Sequence, residues 1–272
     1  MSVHDQTMQA AFLDAAQVRR GPLPEVVSME PIIEGVPFAH ERTVFNGPDG
    51  FFAIWACDAG VFPRVKDKRG SFMYILSGDA TIVDAGGTSH ELTADSVLIL
   101  PFGWVGTWHI RETIRKVYLH TTPVPPLPAA VVASAFKPAD QVLAAPVLAA
   151  PVLAAPVLAA EVLAAEVLAA PPPGPAAAPG SPSDADTVIF DGPDGRCDIR
   201  SRAPGEYPWA PDDHGFFAFV LAGDGFLVSD DDTWHDFSPG DVIALPSGWS
   251  GGWDIRRPFR AFCVRSTPAP PA

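Results

Sequence analysis

Outside its middle, the chain is patterned in short runs where apolar residues alternate with small or polar ones. Residues 51–56, 72–76, 80–83, 97–100 and 116–120 read as strands. Gly-Pro-Asp-Gly, Ser-Gly-Asp, Asp-Ala-Gly-Gly and Pro-Phe-Gly lie between or beside them, and each is turn chemistry. Short strands at regular spacing predict an all-β sandwich or barrel. One amphipathic helix is predicted at 5–19, where Met8, Ala11, Phe12 and Ala15 share a face. It is expected to cover a sheet edge or a neighbouring domain.

The pattern occurs twice. Gly47-Pro-Asp-Gly50 returns as Gly192-Pro-Asp-Gly195, an offset of 145 residues (192 minus 47). The same offset pairs Gly60 with Gly205, Pro63 with Pro208, Gly78-Asp79 with Gly223-Asp224 and His90 with His235. It also turns "LPFGWVGTWHIR" at 100–111 into "LPSGWSGGWDIR" at 245–256. One register held this long means duplicated domains. We place an N-terminal helix and arm at 1–42, a first domain at 43–123, a linker at 124–186 and a second domain at 187–268. The linker carries VLAAP/VLAAE pentads over 142–171. A five-residue period suits neither helix nor strand, and proline at every fifth position blocks a continuous helix. A semi-stiff Pro/Ala-rich spacer is expected, with a short helix open at 157–170 and a docking ligand for a partner as the other reading.

Phe72, Tyr74, Ile75, Leu76 and Gly78, followed by Pro101, Gly103, Gly106, Trp108, Glu112, Arg115 and Lys116, carry a resemblance. The first copy resembles a cupin of the ureidoglycine-aminohydrolase-like subfamily. The second keeps Phe217, Leu221, Gly223, Pro246, Gly248, Gly251, Trp253 and Arg260, but has Arg257 and Ala261 where the first has Glu112 and Lys116. The resemblance implies two cupin barrels (double-stranded β-helix, or jelly roll), which is a bicupin. It also implies that the two barrels pair as a pseudo-dimer, with a homo-oligomer open.

A metal-binding cupin is implied to hold its ion with two His and a Glu from one motif and a His from the next. Residues 64–71 contain neither His nor Glu, and Gly106 stands at the later His position. Lys66 and Lys68 lie where the first histidines belong, in a cluster with Arg64 and Arg69. An ammonium repels a metal ion and cannot ligate it while charged. No cofactor is therefore expected. In the second copy Asp212, Asp213 and His214 are the weak metal candidates, because neighbouring side chains on a strand point to opposite faces.

The ligand-binding candidates are Lys66, Lys68, Tyr74, Trp104, Trp108, His214, Trp249 and Trp253. The two lysines could hold a carboxylate or ureido oxygen directly. The alternative is that they are exposed loop lysines, and that the tryptophans are core. Weak catalytic candidates are Tyr74, His90 and Glu112, each with a packing or surface alternative. His120 and Arg265 read as surface, and Asp230–Asp232 as a solvated hairpin tip.

The formal net charge of −14 argues against nucleic acid as a partner. No run of apolar residues is long enough for a membrane span. Three cysteines without a framework, and no signal peptide in "MSVHDQTMQA", suggest a reducing cytoplasmic compartment. Three functions are open. The favoured one is a metal-free cupin that binds a small polar or anionic metabolite, with no enzymatic duty. The others are a ureidoglycine-aminohydrolase-like enzyme and a metal-independent isomerase or epimerase. The last would need His90 with Tyr74, or His235 with Asp236.

Overall fold

The computed structural model describes residues 10–121, 132–144 and 186–267. Nearly all of them are strand, and only two short helices occur among them, Ala15–Arg20 and Ala139–Leu143. The first copy forms a ten-stranded sheet that curls into a barrel. Its main path runs Ala135–Lys137, Val97–Leu100, Ser71–Asp84, Val105–Thr121, Gly50–Cys57, Ala39–Gly47 and Glu25–Val27. Gly60–Val65 joins the first half of Val105–Thr121, and Ser89–Leu92 joins Ser71–Asp84. The second copy splits into a six-stranded and a four-stranded sheet.

The runs at 72–76 and 80–83 are not separate strands but one, Ser71–Asp84. Gly78 makes the continuity possible. Its φ is +99°, and a Cβ there would meet Ile114 Cα and the Thr113 carbonyl at 2.5 Å. The partner strand, Val105–Thr121, passes the same corner through register shifts between Ile110 and Lys116. Such bulges re-aim the side chains that follow. In the second copy Pro258 stands at the corresponding corner, and the chain there divides into Gly251–Ile255 and Phe259–Arg265.

Residues 5–19 are not one helix. Ala11–Leu13 is a strand paired with Val242–Ala244 of the second barrel, and the helix begins at Ala15. Asp14 caps it by accepting from the Gln17 amide, and Asp241 of the second barrel accepts from the Ala15 amide. At its other end Arg115 of the first barrel donates to the Val18 and Gly21 carbonyls, at 2.9 and 3.0 Å. The edge-covering role holds, but with strand hydrogen bonds, which an edge strand offers to any extended segment. Met8 and the segment 157–170 lie outside the described residues.

Three cores result. One fills the first barrel and includes Trp55, Phe62, Met73, Ile75, Trp104 and Trp108. One fills the second and includes Tyr207, Trp209, Phe216, Trp249 and Trp253. The third lies between the barrels and joins Phe52, Phe72, Tyr74 and Leu119 to Phe217, Phe219 and Phe262. Each sheet facing this third core is thus apolar on both sides. All three cysteines are buried free thiols. Among the described residues no helix is long and apolar enough to cross a membrane.

Candidate functional site: a cationic cavity in the first barrel

Cross-strand register decides what faces the inside of the first barrel. Lys116 lies opposite Trp55, Tyr118 opposite Met73, Glu41 opposite Trp55 and Trp108 opposite Phe62. Directly opposed residues share a face, so these side chains converge. They enclose a cavity of about 230 Å³, which Lys66, Ser71 and His120 also line. Residues 27–29 border it too. Arg64 ties that segment down by donating to the carbonyls of Ser28, Met29 and Glu30 at 3.1, 3.3 and 3.4 Å.

The charge balance of this cavity is unusual. The Lys116 ammonium lies 4.2 Å from the Trp55 ring centre, 4.4 Å from Trp108 and 5.5 Å from Tyr118. Its hydrogen-bond acceptor is the Met73 sulfur, at 3.2 Å. Lys66 Nζ is 3.5 Å from His120 Nε2. Among the described residues no carboxylate lies within ion-pair distance of either lysine. Glu41 is the one acid of the cavity lining, and it accepts a short hydrogen bond from the Tyr118 hydroxyl.

Desolvation sets the protonation of the group, since burial disfavours every charged form. Burial, helped by the charge of Lys66, drives the Lys116 amine well below the ordinary lysine range. Lys66 is pushed down to about 8 by burial and then by Arg64, with Asp67 opposing. Burial and the two ammonium groups hold His120 well below its usual value. Glu41 moves up, because burial outweighs the Tyr118 hydrogen bond. Tyr118 moves up through burial and the negative charge of Glu41.

The second barrel carries a different solution at the matching positions. Arg200 replaces Trp55, Phe216 replaces Ser71, Ala261 replaces Lys116 and Cys263 replaces Tyr118. Arg200 is paired with Asp198 at 3.0 Å and lies 3.6 Å from Asp186, which also holds Arg202 at 2.7 Å. These four side chains are almost wholly buried. Charge there is matched within the barrel.

The residues singled out from sequence are scattered by the fold. Lys66 and Trp108 line the cavity, whereas Lys68 is exposed on its loop. Tyr74 faces the other barrel, where it meets Phe219 and Phe262 and donates to Asp95 at 2.8 Å. His90 stacks on Phe136 and Glu112 is exposed on its strand, so neither joins Tyr74. Trp104 is fully buried, with its indole N–H on Asp84 at 2.7 Å. Trp249 and Trp253 pack in the second core, where Trp249 donates to Ser229. His235 stacks on Phe12, and Asp236 is exposed beside it.

Asp212, Asp213 and His214 do converge, contrary to the strand-parity expectation. Their ligand atoms lie within 4.8 Å of one another. They sit in a loop between Gly205–Trp209 and Phe216–Ala222, where alternation does not apply. His214 Nδ1 is 2.6 Å from Asp213. Arg265 donates to Asp212 and lies 3.3 Å from His214, so its guanidinium already supplies the cation there. Arg265 and His120 are not surface residues: Arg265 is engaged in this cluster and His120 is half-buried against the first cavity.

Lys116, Glu41, Tyr118, Trp55 and Met73 were not among the candidates. Lys116 had a detectable signal: its repeat partner is Ala261, so the second copy does without a cation at that position. The manganese cage implied by the resemblance does not fit the first cavity. A divalent cation there would face the Lys66 ammonium, which has no carboxylate partner, and Glu41 is already engaged by Tyr118.

Two barrels of this topology, one holding a lined cavity, define a two-barrel cupin. The EutQ-like cupin domain matches residues 48–118 and again 195–261, half of the chain, and the protein belongs to this cupin family. No curated protein matches it in sequence. Among solved structures it is similar to the salicylate 1,2-dioxygenase of Pseudaminobacter salicylatoxidans. The identity is 10% and the TM-score 0.62, over 98% of this chain and 86% of the other. The protein Ylba from E. coli gives 12% and 0.57, over 97% and 95%. A cupin 2 conserved barrel domain protein from Leptotrichia buccalis gives 9% and 0.52, over 88% and 100%. At these identities the likeness concerns the fold.

Proposed function

We propose that the first barrel is a metal-independent binding site for a small anionic metabolite, such as a carboxylate or ureido acid. The observation that carries this reading is the pair Lys66 and Lys116, two amines lining one cavity without a carboxylate partner. Lys66 holds its proton below about pH 8, and a desolvated cation without a counter-ion costs several kcal/mol, roughly. A bound anion would offset that cost, and the rings of Trp55 and Trp108 would cover its apolar part. The volume, about 230 Å³, suits a molecule of few heavy atoms, since drug-sized ligands occupy roughly 300–1,000 Å³. The second barrel, with its charges matched internally, is assigned a structural role.

The ureidoglycine-aminohydrolase-like reading has less support, because of the three His and one Glu its cage needs the first cavity offers only His120 and Glu41, the latter already engaged by Tyr118. The isomerase reading rested on His90 with Tyr74 or His235 with Asp236, and neither pair meets inside a barrel. Tyr118 and His120 do meet in the first cavity, 4.7 Å between ring centres, but the Tyr118 hydroxyl is engaged by Glu41. Titration of isotope-labelled protein with acetate, pyruvate and ureido acids tests the proposal. Saturable shifts of the Trp55 and Trp108 indole signals are expected. Unmoved signals across the panel would remove it, as would near-stoichiometric manganese or iron in protein purified without chelators.

A further inference from the structure

We propose that Lys116 is an amine nucleophile, and that the first barrel condenses it with the carbonyl carbon of a small 2-oxo acid to form an imine. This rests on the anion-binding reading above, and adds to it a ligand class and a covalent step.

Position is the first support. Lys116 Nζ sits among Trp55, Trp108 and Tyr118 and touches the Met73 sulfur. Among the described residues no carboxylate lies within ion-pair distance of it, and Glu41, which lines the same cavity, is engaged by Tyr118. Attraction to aromatic faces is worth about 2 kcal/mol when desolvated. Removing an ammonium from water costs several. The surroundings therefore favour the neutral amine, whose lone pair is the nucleophile. Burial and the nearby charge of Lys66 act in the same direction.

The duplication supplies an internal control. At the matching position the second barrel has Ala261, buried and packed in a full core. A barrel of this family thus closes without an amine there, so architecture alone does not demand Lys116. Lysine is also scarce: the chain has Lys66, Lys68, Lys116 and Lys137 and no others. Two of them line this one cavity.

The step balances without an oxidant or reductant. The Lys116 nitrogen forms a C–N bond to the carbonyl carbon, and the C=O π pair moves to oxygen, which takes up a proton as nitrogen loses one. The resulting hydroxyl takes a second proton and leaves as water while nitrogen forms C=N. Glu41 lines the same cavity and is the group placed to supply that proton and recover it from the iminium nitrogen, while Lys66 keeps its own. Lys66 also offers its charge to the acid's carboxylate.

The test uses the full-length chain with pyruvate or glyoxylate and cyanoborohydride, followed by proteolysis and mass mapping of all four lysines. The expected result is one reduced adduct, a carboxymethyl group from glyoxylate, on Lys116 and not on exposed Lys68. It is lost in Lys116→Met and retained in Lys68→Arg. Calorimetry with pyruvate and no reductant runs alongside. Pyruvate binding without an adduct on Lys116, or labelling spread evenly over the lysines, overturns the imine and leaves anion binding standing. Absence of binding by any carboxylate removes the binding reading itself. The mapping on the unmodified protein decides the matter even if Lys116→Met fails to fold.

Discussion

Asp49 and Asp194 occupy the same place in the two copies, and each accepts a hydrogen bond from a loop amide of the other barrel. Asp49 accepts from Ser247 at 3.0 Å and Asp194 from Phe102 at 2.8 Å. Both carboxylates are fully buried. Gly70 and Gly215, also equivalent, leave them room: a Cβ at either would come within 2.7 Å of Asp194 or 2.5 Å of Asp49. The repeated Gly-Pro-Asp-Gly turn is therefore an interface device. Removing a buried acceptor costs about 1–3 kcal/mol. Asp49→Ala and Asp194→Ala are each expected to lower the urea midpoint by that equivalent. An unchanged midpoint in both would show that these caps add nothing.

Lys116→Met is expected to raise thermal stability while abolishing anion binding. Replacing an uncompensated buried amine by a similar apolar chain is neutral or stabilising by about 1–4 kcal/mol, and function is the usual loss in such a trade. Calorimetric melting and a carboxylate titration on the same variant check both halves. A large drop in melting temperature would mean that the amine is structural.

Arg200→Met in the second barrel is expected to act oppositely. Asp198 and Asp186 lose a buried guanidinium at 3.0 and 3.6 Å, and an orphaned buried charge costs about 3 kcal/mol or more. Denaturant melts should show a loss of this size, with carboxylate binding in the first barrel kept.

Lys66 couples folding to pH. Its folded value is near 8 and its ordinary value 10.5. Below pH 8 both states hold the proton, and the burial cost is carried in full. Above pH 8 the folded state releases the proton while the unfolded chain keeps it, so stability rises until about pH 10.5. Over the same rise, carboxylate affinity should fall as the ammonium is lost. Lys116, His120, Arg64 and Asp67 face or flank this group and shape the curve. Lys66→Met should flatten the rise; an unaltered slope would show that Lys66 does not cause it.

Tyr74→Phe separates interface from site. The change removes one hydrogen bond to Asp95, worth about 0.5–1.5 kcal/mol, and keeps the ring packing on Phe219 and Phe262. Stability should fall slightly and anion binding should not change. Lost binding would place Tyr74 in the site after all.

The barrel folds, the duplication and the strand corners were legible because they depend on local chemistry. Gly78 and Gly223 both adopt positive φ at the corner, and a repeated register needs no structure to be seen. The cationic character near Lys66 was legible too. Lys116 was harder: its strand is apolar on both faces, since one faces the barrel interior and the other the second barrel. Val117 and Leu119 look as buried as Lys116 and Tyr118, so no period of two marks the inside. The same ambiguity made Tyr74 a site candidate when its neighbour Met73 points inward.

By itself the chain of residues determined that two barrels of one kind would form, and that residues 64–71 carry cations and neither His nor Glu. Only tertiary structure decided which amines meet. Register shifts between Ile110 and Lys116, and the apposition of two sheets, set strand parity. Parity turned Lys116 inward toward Trp55 and Tyr74 outward toward Phe219. Those choices depend on contacts between segments far apart in sequence, which no local pattern encodes.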